Sequence, residues 1–547
     1  MEINYEYVSQ LINEERWNEC YGIITEGLKS NYTDYELYFA LGEYYLRKNA
    51  EQAYLCYENA LFFCKDVNDK EYIANVMEDV KEQYNVKVRP YSIVIVSYNS
   101  SDVMKLCINS IRRNNDIICN EIIVVDNNSS DGICEWLRTQ NDIYLIENKE
   151  NKGFGGGLNQ GIKAALPEND IFLLNNDTIV VPNAIFWLRM GLYESDRIGA
   201  VSCESNYAAG QWTKETYDNA NDYIQYGIRN NIPDVNPYEK RVWLSGFALM
   251  FRRRALDEVG LLDKRYGMGY YEDNDICVRL QYAGYQCILC HNSFIFHWGS
   301  QSFGKVSDKQ NELMNINRQI FRDKWKFDIV YYSYARSELI SLIEADKNDN
   351  IRVLEVGCGC GATLAKIKYM WPLADVKGIE LVDRIAQIGA NNMDIIQGNI
   401  ESMSLDYENA YFDYVIFADV LEHLCAPDKT LVKLKRYMKI GAKLIISIPN
   451  IMHYSVLIPL LKGEFTYKDS GILDKTHMRL FTLKSIINLL SECGYIPEKY
   501  FAIKNDGESA DISEQEKTSF FEIIKGIEEV ADDTQFDAYQ YVLVAKV

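Results

Sequence analysis

The pattern of apolar and polar positions divides the chain into three stretches of different period. From residue 1 to about 88, apolar residues recur without sustained alternation of period two, which predicts helices throughout. Val8, Leu11 and Ile12 mark a first helix, and the segment from Trp17 to Leu28 a second. Tyr38, Leu41, Gly42 and Tyr45, followed by Ala53, Tyr57 and Ala60, mark a further pair. Arg89-Pro90 closes this stretch, because proline cannot continue a helix. Short runs rich in β-branched residues follow: Tyr91 to Tyr98 (YSIVIVSY), Glu121 to Asp126 (EIIVVD) and Asp170 to Leu174 (DIFLL), with helical stretches between them. Continuous apolar runs suit strands buried on both faces, so the expected fold is α/β with a parallel sheet. That texture lasts to about Lys326. A second α/β unit opens with a helix around Ser337 to Glu344 and the strand Arg352 to Val356, and ends in a strand from Gln540 to Val547. The expected division is 1–88, 89–330 and 331–547. Residues 505 to 537 hold 11 acidic residues against Lys517 and Lys525, which reads as a solvated helix or lid.

Composition narrows the function classes. A chain of 547 residues is too long for one ordinary core. Its net charge of -22, from 57 Lys+Arg and 79 Asp+Glu, disfavours nucleic acid and anionic membrane surfaces as partners. The 40 Tyr offer flat apolar area with a polar tip, as sugar and protein contacts need. No apolar run approaches the roughly 20 residues that span a bilayer. The opening Met-Glu-Ile-Asn-Tyr-Glu has no signal-peptide pattern. The 14 Cys form no paired CxxC framework, and the lone Cys287/Cys290 pair reads as strand packing rather than zinc. A cytoplasmic protein without a membrane span is expected.

The candidate chemistry sits where predicted strands end. Ser97 and Asn99 follow the first strand, and Asp126-Asn127-Asn128-Ser129-Ser130-Asp131-Gly132 follows the second. Ligands of open α/β sheets bind outside such ends. Residues 148–161 (NKENKGFGGGLNQG) hold four glycines in five positions, Gly155 among them, so a backbone could approach a ligand there and Lys152 could meet a diphosphate. Asn175-Asn176-Asp177 follows the third strand and offers oxygen ligands to a hard divalent cation. Glu272-Asp273 opens a predicted helix, where a carboxylate could take a proton from a hydroxyl. Alone, such an acidic first turn also complements the helix dipole. His297-Trp298-Gly299 closes the series.

With SIVIVSYN, VVDNNSSDG, NKGFGGGLNQGI, LLNNDT, WLSGFALMFRR, YYEDNDICVR and HWG in order, residues 91–328 resemble the family 2 glycosyltransferases of GT-A fold, especially their rhamnosyltransferase-like members. The resemblance implies that Asp126 reads the nucleotide base and that Asp177 holds Mg²⁺ or Mn²⁺, with His297 touching metal or diphosphate. It implies that Asp273 is the general base with Glu272 beside it, and that Trp243, Ser245 and Gly246 border the donor sugar and acceptor. Asn175 stands where that family often has a first Asp, which removes one charge from the metal element. The implied reaction is an inverting displacement on a nucleotide-sugar.

A second constellation begins at IRVLEVGCGCG (351–361), where Gly357, Gly359 and Gly361 end a strand. Glu380 ends the next strand and suits a ribose diol; Asn399 follows a third, and Asp419 lies in FADVLEHL after a fourth. A dinucleotide dehydrogenase shares the glycine loop and the ribose acid. VLEVGCGCG, GIE, ADVLEHL and LIISIPN together resemble the class I S-adenosylmethionine-dependent methyltransferases over residues 335–547. That resemblance implies S-adenosyl-L-methionine as cofactor, with Glu355, Gly357, Gly359 and Asp419 near its methionine part, Glu380 on ribose and Asn399 near adenine. Asn399 departs from the commoner Asp. His453 and His477 fall where acceptor loops are expected, and either could deprotonate a hydroxyl, whereas His423 reads as structural.

The helix pair at 38–60 resembles a tetratricopeptide repeat whose second half falls one residue early; a bundle that only packs on its neighbour fits as well. The expectation is a bifunctional enzyme that glycosylates and O-methylates one glycan or glycoprotein acceptor, with rhamnose as a donor sugar and flagellin as a destination. A scaffold with one working domain, recruiting a protein partner through the N-terminal helices, is the rival from another class. A transferase that makes an activated sugar is a third reading, which Glu272-Asp273 and His297-Trp298-Gly299 disfavour.

Overall fold

The computed structural model describes residues 4–114, 120–299, 308–504, 512–526 and 533–547. These form two compact units, Met1–Ile329 and Val330–Val547. The first unit opens with five helices, α1 (Tyr5–Asn13), α2 (Trp17–Ser30), α3 (Tyr35–Leu46), α4 (Ala50–Phe63) and α5 (Val67–Tyr84). Asn4, Asp34, Asn49 and Asp66 start four of them by accepting a free first-turn N–H. Gly42 of α3 lies against the Tyr57 ring of α4, leaving no room for a methyl group. The middle of α4 is buried nearly all round, including Gln52, Glu58 and Asn59, as befits a central helix. Its polar groups are spent on the α/β part of the same unit. Gln52 Nε2 donates to the Met190 carbonyl (2.9 Å), Asn49 Nδ2 to that of Tyr193 (2.9 Å), and Glu58 pairs with buried Arg189 at 2.5 Å. Through this face the N-terminal helices pack on the α/β part of their own unit.

The α/β part carries nine strands: β1 (Tyr91–Ser97), β2 (Asn120–Asp126), β3 (Ile143–Glu147), β4 (Asp170–Leu174), β5 (Thr178–Val180), β6 (Ile198–Glu204), β7 (Tyr238–Arg241), β8 (Ala248–Phe251) and β9 (Gln286–His297). Their order is β3-β2-β1-β4-β8-β6-β9-β5, with β7 also on β9. The first four are mutually parallel, β8 is antiparallel to both β4 and β6, and β9 is parallel to β6. These directions put the carboxyl ends of β1, β2, β4 and β9 on one edge together with the start of β8. Cys287 and Cys290 are buried within β9, as strand packing requires.

The glycine-rich segment is mostly helical: the helix Phe154–Ala164 includes Gly155, Gly156, Gly157 and Gly161. A Cβ at Gly157 would lie 2.9 Å from Val96 Cγ2, and one at Gly161 would run into Val94. These glycines let the helix settle on β1. Gly153, with φ +77°, is the one that turns the chain into the helix.

The second unit has the strands β10 (Arg352–Val356), β11 (Asp375–Glu380), β12 (Asp394–Gln397), β13 (Phe412–Ala418), β14 (Met438–Pro449), β15 (Ile496–Ile503) and β16 (Gln540–Lys546), in the order β12-β11-β10-β13-β14-β16-β15. The five from β12 to β14 run parallel, and β16 is inserted antiparallel between β14 and β15. Order reverses at β10, where an α/β sheet opens a crevice for a ligand. The helix expected around 337–344 is the short Ser337–Ile340. Of the acidic segment, Glu514–Lys525 is a helix, while 505–511 and 527–532 lie outside the described residues. No helix among the described residues is long and apolar enough to cross a membrane.

Candidate functional site

In the first unit the shared edge gathers the predicted residues around Phe247. Asn175 N donates to the Phe247 carbonyl (2.7 Å), and the Phe247 ring stacks on His297, 5.2 Å between centroids. His297 Nδ1 lies 2.6 Å from the Tyr207 carbonyl, and Nε2 lies 3.1 Å from Asp177 Oδ1 and 3.3 Å from Asn175 Nδ2. A ring nitrogen facing a carbonyl carries the proton, so Nδ1–H donates to Tyr207 and Nε2 faces the Asp177 carboxylate. Asn175 Oδ1 is buried with no partner. A carboxylate, an imidazole nitrogen and an unpartnered amide oxygen gathered after a strand end are a donor set that fits a divalent cation.

On the other side of Phe247, Gly246 N donates to Asp273 Oδ2 (2.9 Å), and Asn274 N donates to Oδ1 (2.8 Å). A Cβ at Gly246 would lie 3.2 Å from that of Asp273, so glycine permits the approach. Tyr270 and Tyr271 both have positive φ (72° and 73°) immediately before the helix Glu272–Tyr282. Such backbone is strained for aromatic residues and is tolerated where a site must be aimed. Glu272 is buried with Oε2 unpartnered. Burial, then the neighbouring Asp273 charge, push its carboxyl up to about 8. Burial also raises Asp273, against the two backbone N–H groups that favour its charged form. Burial and mutual repulsion thus favour the protonated form in this pair, while the two N–H groups favour charge on Asp273. Asp275, which the sequence places in the same acidic turn, is structural, paired with Arg279 (3.0 Å) and Lys324 (2.5 Å).

The remaining first-unit residues are placed as follows. Asp126 is buried after β2 and accepts from Ser129 N (2.8 Å) and Ser129 Oγ (2.6 Å). Asn99, at φ 47°, accepts from Ser130 N (2.8 Å), and Ser97 Oγ is buried without a partner. Lys152 pairs with Glu150, and the Cβ position of Gly155 faces Leu262 inside the helix. Ser245 N donates to Gln211 Oε1 (2.6 Å), and Trp243 lies beside Gly210. Phe247, Tyr207 and Gln211 were not singled out by sequence. Tyr207 and Gln211 act through a carbonyl and an amide in an aperiodic stretch that carries no motif.

In the second unit Gly357, Gly359 and Gly361 all have positive φ, so this glycine run is a left-handed loop at the end of β10. Glu380 binds the loop to β11: Gly359 N donates to Oε2 and Val382 N to Oε1, both at 2.9 Å. Burial raises its carboxyl, and these N–H groups oppose the rise. Glu355 is buried with Oε2 unpartnered, and burial pushes it up to about 8. Asp419, at φ 55°, accepts from Arg336 Nη1 (2.6 Å), Ser447 Oγ (2.7 Å) and Gln540. Arg336 and Gln540 escaped sequence reading because neither lies in a patterned segment near Asp419. Asn399 Oδ1 accepts from Glu401 N (2.9 Å) in a turn after β12.

The two candidate bases part company. His453 is buried and caps the helix Tyr454–Leu461, its Nδ1 accepting from Ser455 N (3.3 Å). In this position it serves as a helix cap. His477 instead joins His423, with ring centroids 4.7 Å apart, so His423 belongs to a side-chain cluster rather than to a helix interior. Glu422 lies with them, and burial pushes its carboxyl well up while it lowers His423.

Comparison with known proteins agrees with this division. The pattern of glycosyl transferase family 2 matches residues 92–260, and that of a methyltransferase domain matches residues 329–498. The low-salt glycan biosynthesis hexosyltransferase Agl10 of Haloferax volcanii is 27% identical over 193 residues, covering 34% of this chain and 60% of the relative. The poly-beta-1,6-N-acetyl-D-glucosamine synthase of Staphylococcus aureus is 33% identical over 85 residues, 15% of this chain and 20% of the relative. The chain thus spans less than two thirds of either relative. Among solved structures, a SAM-dependent methyltransferase from Archaeoglobus fulgidus aligns at TM-score 0.29 and 19% identity, covering 42% of this chain and 99% of that one. One from Aquifex aeolicus aligns at 0.27 and 14%, covering 41% and 96%. The family patterns therefore place a family 2 glycosyltransferase domain over residues 92–260 and a methyltransferase domain over residues 329–498, in that order on one chain.

Proposed function

We propose that the chain transfers a sugar from a nucleotide-sugar to a hydroxyl of a glycan or glycoprotein, and methylates a sugar hydroxyl of the same acceptor. The observation that carries the first half is the Phe247 bridge, which joins Asn175, Asp177 and His297 to Gly246 and Asp273 at one sheet edge. Asp273 takes the acceptor proton as the hydroxyl oxygen attacks the anomeric carbon, and the bond to the diphosphate breaks with inversion. Gly246 N and Asn274 N orient Asp273 and favour its charged form, while burial favours the neutral form of Glu272 beside it. Asp177, His297 and Asn175 would hold Mg²⁺ or Mn²⁺, which when bound supplies charge neutralisation to the departing diphosphate. The roles of the two relatives, in glycan and polysaccharide synthesis, support a glycan acceptor. Rhamnose as donor sugar and flagellin as destination are the finer form of the proposal, resting on sequence resemblance.

The second half rests on the left-handed glycine loop tied to Glu380 at the end of β10, the switch point of the sheet, where S-adenosylmethionine would bind. Carrying both domains on one chain raises the effective concentration of the glycosylated intermediate at the methylating site. The functional division proposed is 1–88 as a helical buttress, 89–330 for glycosyl transfer and 331–547 for methyl transfer.

The test is release of nucleoside diphosphate from a panel of UDP-, GDP- and dTDP-sugars with Mn²⁺ or Mg²⁺, with Asp177→Ala alongside. Release from one donor, lost in the variant, is expected. Release that persists undiminished in Asp177→Ala contradicts the assignment of the cation.

A further inference from the structure

Three side chains of the second unit are brought together by main chain rather than by one another. Glu422 and His423 form the turn Leu421–His423 after β13, and His477 comes from the distant loop before Met478. Met478 N and Arg479 N both donate to the Glu422 carbonyl (2.8 and 3.0 Å), which fastens that loop to the turn. Each of the three residues offers a ligand atom, and these atoms lie within 4.8 Å of one another. His477 Nδ1 lies 2.9 Å from the Ile472 carbonyl; His423 Nδ1 lies 3.3 Å from the Thr476 carbonyl and 3.1 Å from its hydroxyl. With Nδ1 of each ring directed at backbone carbonyl oxygen, Nε2 is the nitrogen left to face an ion, the support that metal-bound imidazoles ordinarily have. Glu422 is 1% exposed, and neither carboxylate oxygen has a hydrogen-bond partner. A buried carboxylate in that condition needs a cation or a proton.

We infer that Glu422, His423 and His477 bind one divalent first-row transition ion, such as Zn²⁺, Mn²⁺ or Co²⁺, within the methyltransferase unit. Two imidazoles and a carboxylate suit these ions better than Mg²⁺ or Ca²⁺, which take oxygen sets. Bonds of about 2.0–2.2 Å hold ligand atoms within about twice that length of one another, and the two half-buried histidines have room to close on the ion. Three protein ligands leave coordination positions open. Asp419, three residues before Glu422, is already held by Arg336, Ser447 and Gln540, so it keeps its own place beside the cluster. On the methyl-transfer reading, from which this last step follows, an open position takes the acceptor hydroxyl oxygen and orients it toward the methyl donor.

The test uses the full chain carrying Asp177→Ala, which removes the other candidate cation site. After chelation it is titrated with Co²⁺, followed by visible d–d absorption, and its S-adenosylmethionine binding is measured separately by calorimetry. One equivalent of Co²⁺ is expected, with affinity at least about tenfold weaker in Glu422→Gln and in His477→Ala and cofactor binding retained. If buried Glu422→Gln fails to fold, His477→Ala, at a half-exposed position, decides alone. Unchanged Co²⁺ affinity in His477→Ala, or no Co²⁺ binding by a parent chain that binds S-adenosylmethionine, overturns the site. Co²⁺ bound through these residues without any cofactor binding would sustain the site and sink the methyl-transfer reading instead.

Discussion

The two units use glycine-rich segments that look alike in composition and behave in opposite ways. In the first, Gly157 and Gly161 stand four apart on one face of a helix and let it press on Val96 and Val94 of β1. In the second, Gly357, Gly359 and Gly361 stand two apart, all at positive φ, and open a loop at the end of β10. Spacing, not glycine content, separates a packing surface from a ligand loop. The carboxylates show the converse, a shared design. Each unit holds one at the sheet edge by backbone N–H groups, Asp273 and Glu380, and buries another with an unpartnered oxygen, Glu272 and Glu355.

The largest expected effect separates the held carboxylates by chemistry. Asp273→Asn should cost roughly 10²–10⁴-fold in glycosyl transfer, measured as nucleoside diphosphate release with acceptor, while S-adenosylmethionine affinity stays unchanged. Equal losses in both readouts would mean a folding defect and break the comparison. Glu380→Gln should do the reverse, weakening S-adenosylmethionine by about 1.5–3 kcal/mol, the worth of hydrogen bonds to a charged group, with glycosyl transfer intact.

The glycine contrast is tested next. Gly161→Ala should destabilise the first unit by about 1–3 kcal/mol through overpacking, seen by hydrogen exchange across β1, β2 and β4, with no change in cofactor binding. Gly359→Ala, where the new Cβ would lie 2.6 Å from the Tyr332 carbonyl, should instead weaken S-adenosylmethionine binding in calorimetry and leave exchange in β1 untouched.

The smallest effect is a pH slope. Glu272 and Glu355 titrate at about 8 in the folded chain against 4.5 for an ordinary glutamate, so the folded state binds more protons between those values. Stability is fully present below 4.5 and is lost as pH rises through about 8. Glu355→Gln and Glu272→Gln should each flatten the fall in thermal midpoint across that window; a slope unchanged in both would place the titration elsewhere.

Much of this was legible in sequence because periodicity survives folding. The β-branched runs became β1, β2 and β4, and the strand-end residues Asp177, His297 and Asp273 met at one edge. Strand β3, with alternating half-exposed positions, carried too weak a pattern to be read. The sequence does not assign the first glycine run to an element, because its composition alone does not separate a helix face from a turn. Tyr207, Gln211 and Arg336 went unseen because a backbone carbonyl, an amide and an unpatterned guanidinium acquire roles only when distant segments meet. His423 was separated from His477 for the same reason: nothing in either segment announces the other.

The central claim is that one acceptor receives both groups. Its most direct test supplies the full chain with the cleaved nucleotide-sugar, acceptor and S-adenosylmethionine labelled in the methyl group, then hydrolyses the product to monosaccharides. The account predicts label on a sugar hydroxyl, lost in Asp273→Asn when the donor sugar is the methylated one and in Glu380→Gln in every case. Label on an amino-acid side chain or an unrelated metabolite, undiminished when the nucleotide-sugar is omitted, would contradict it.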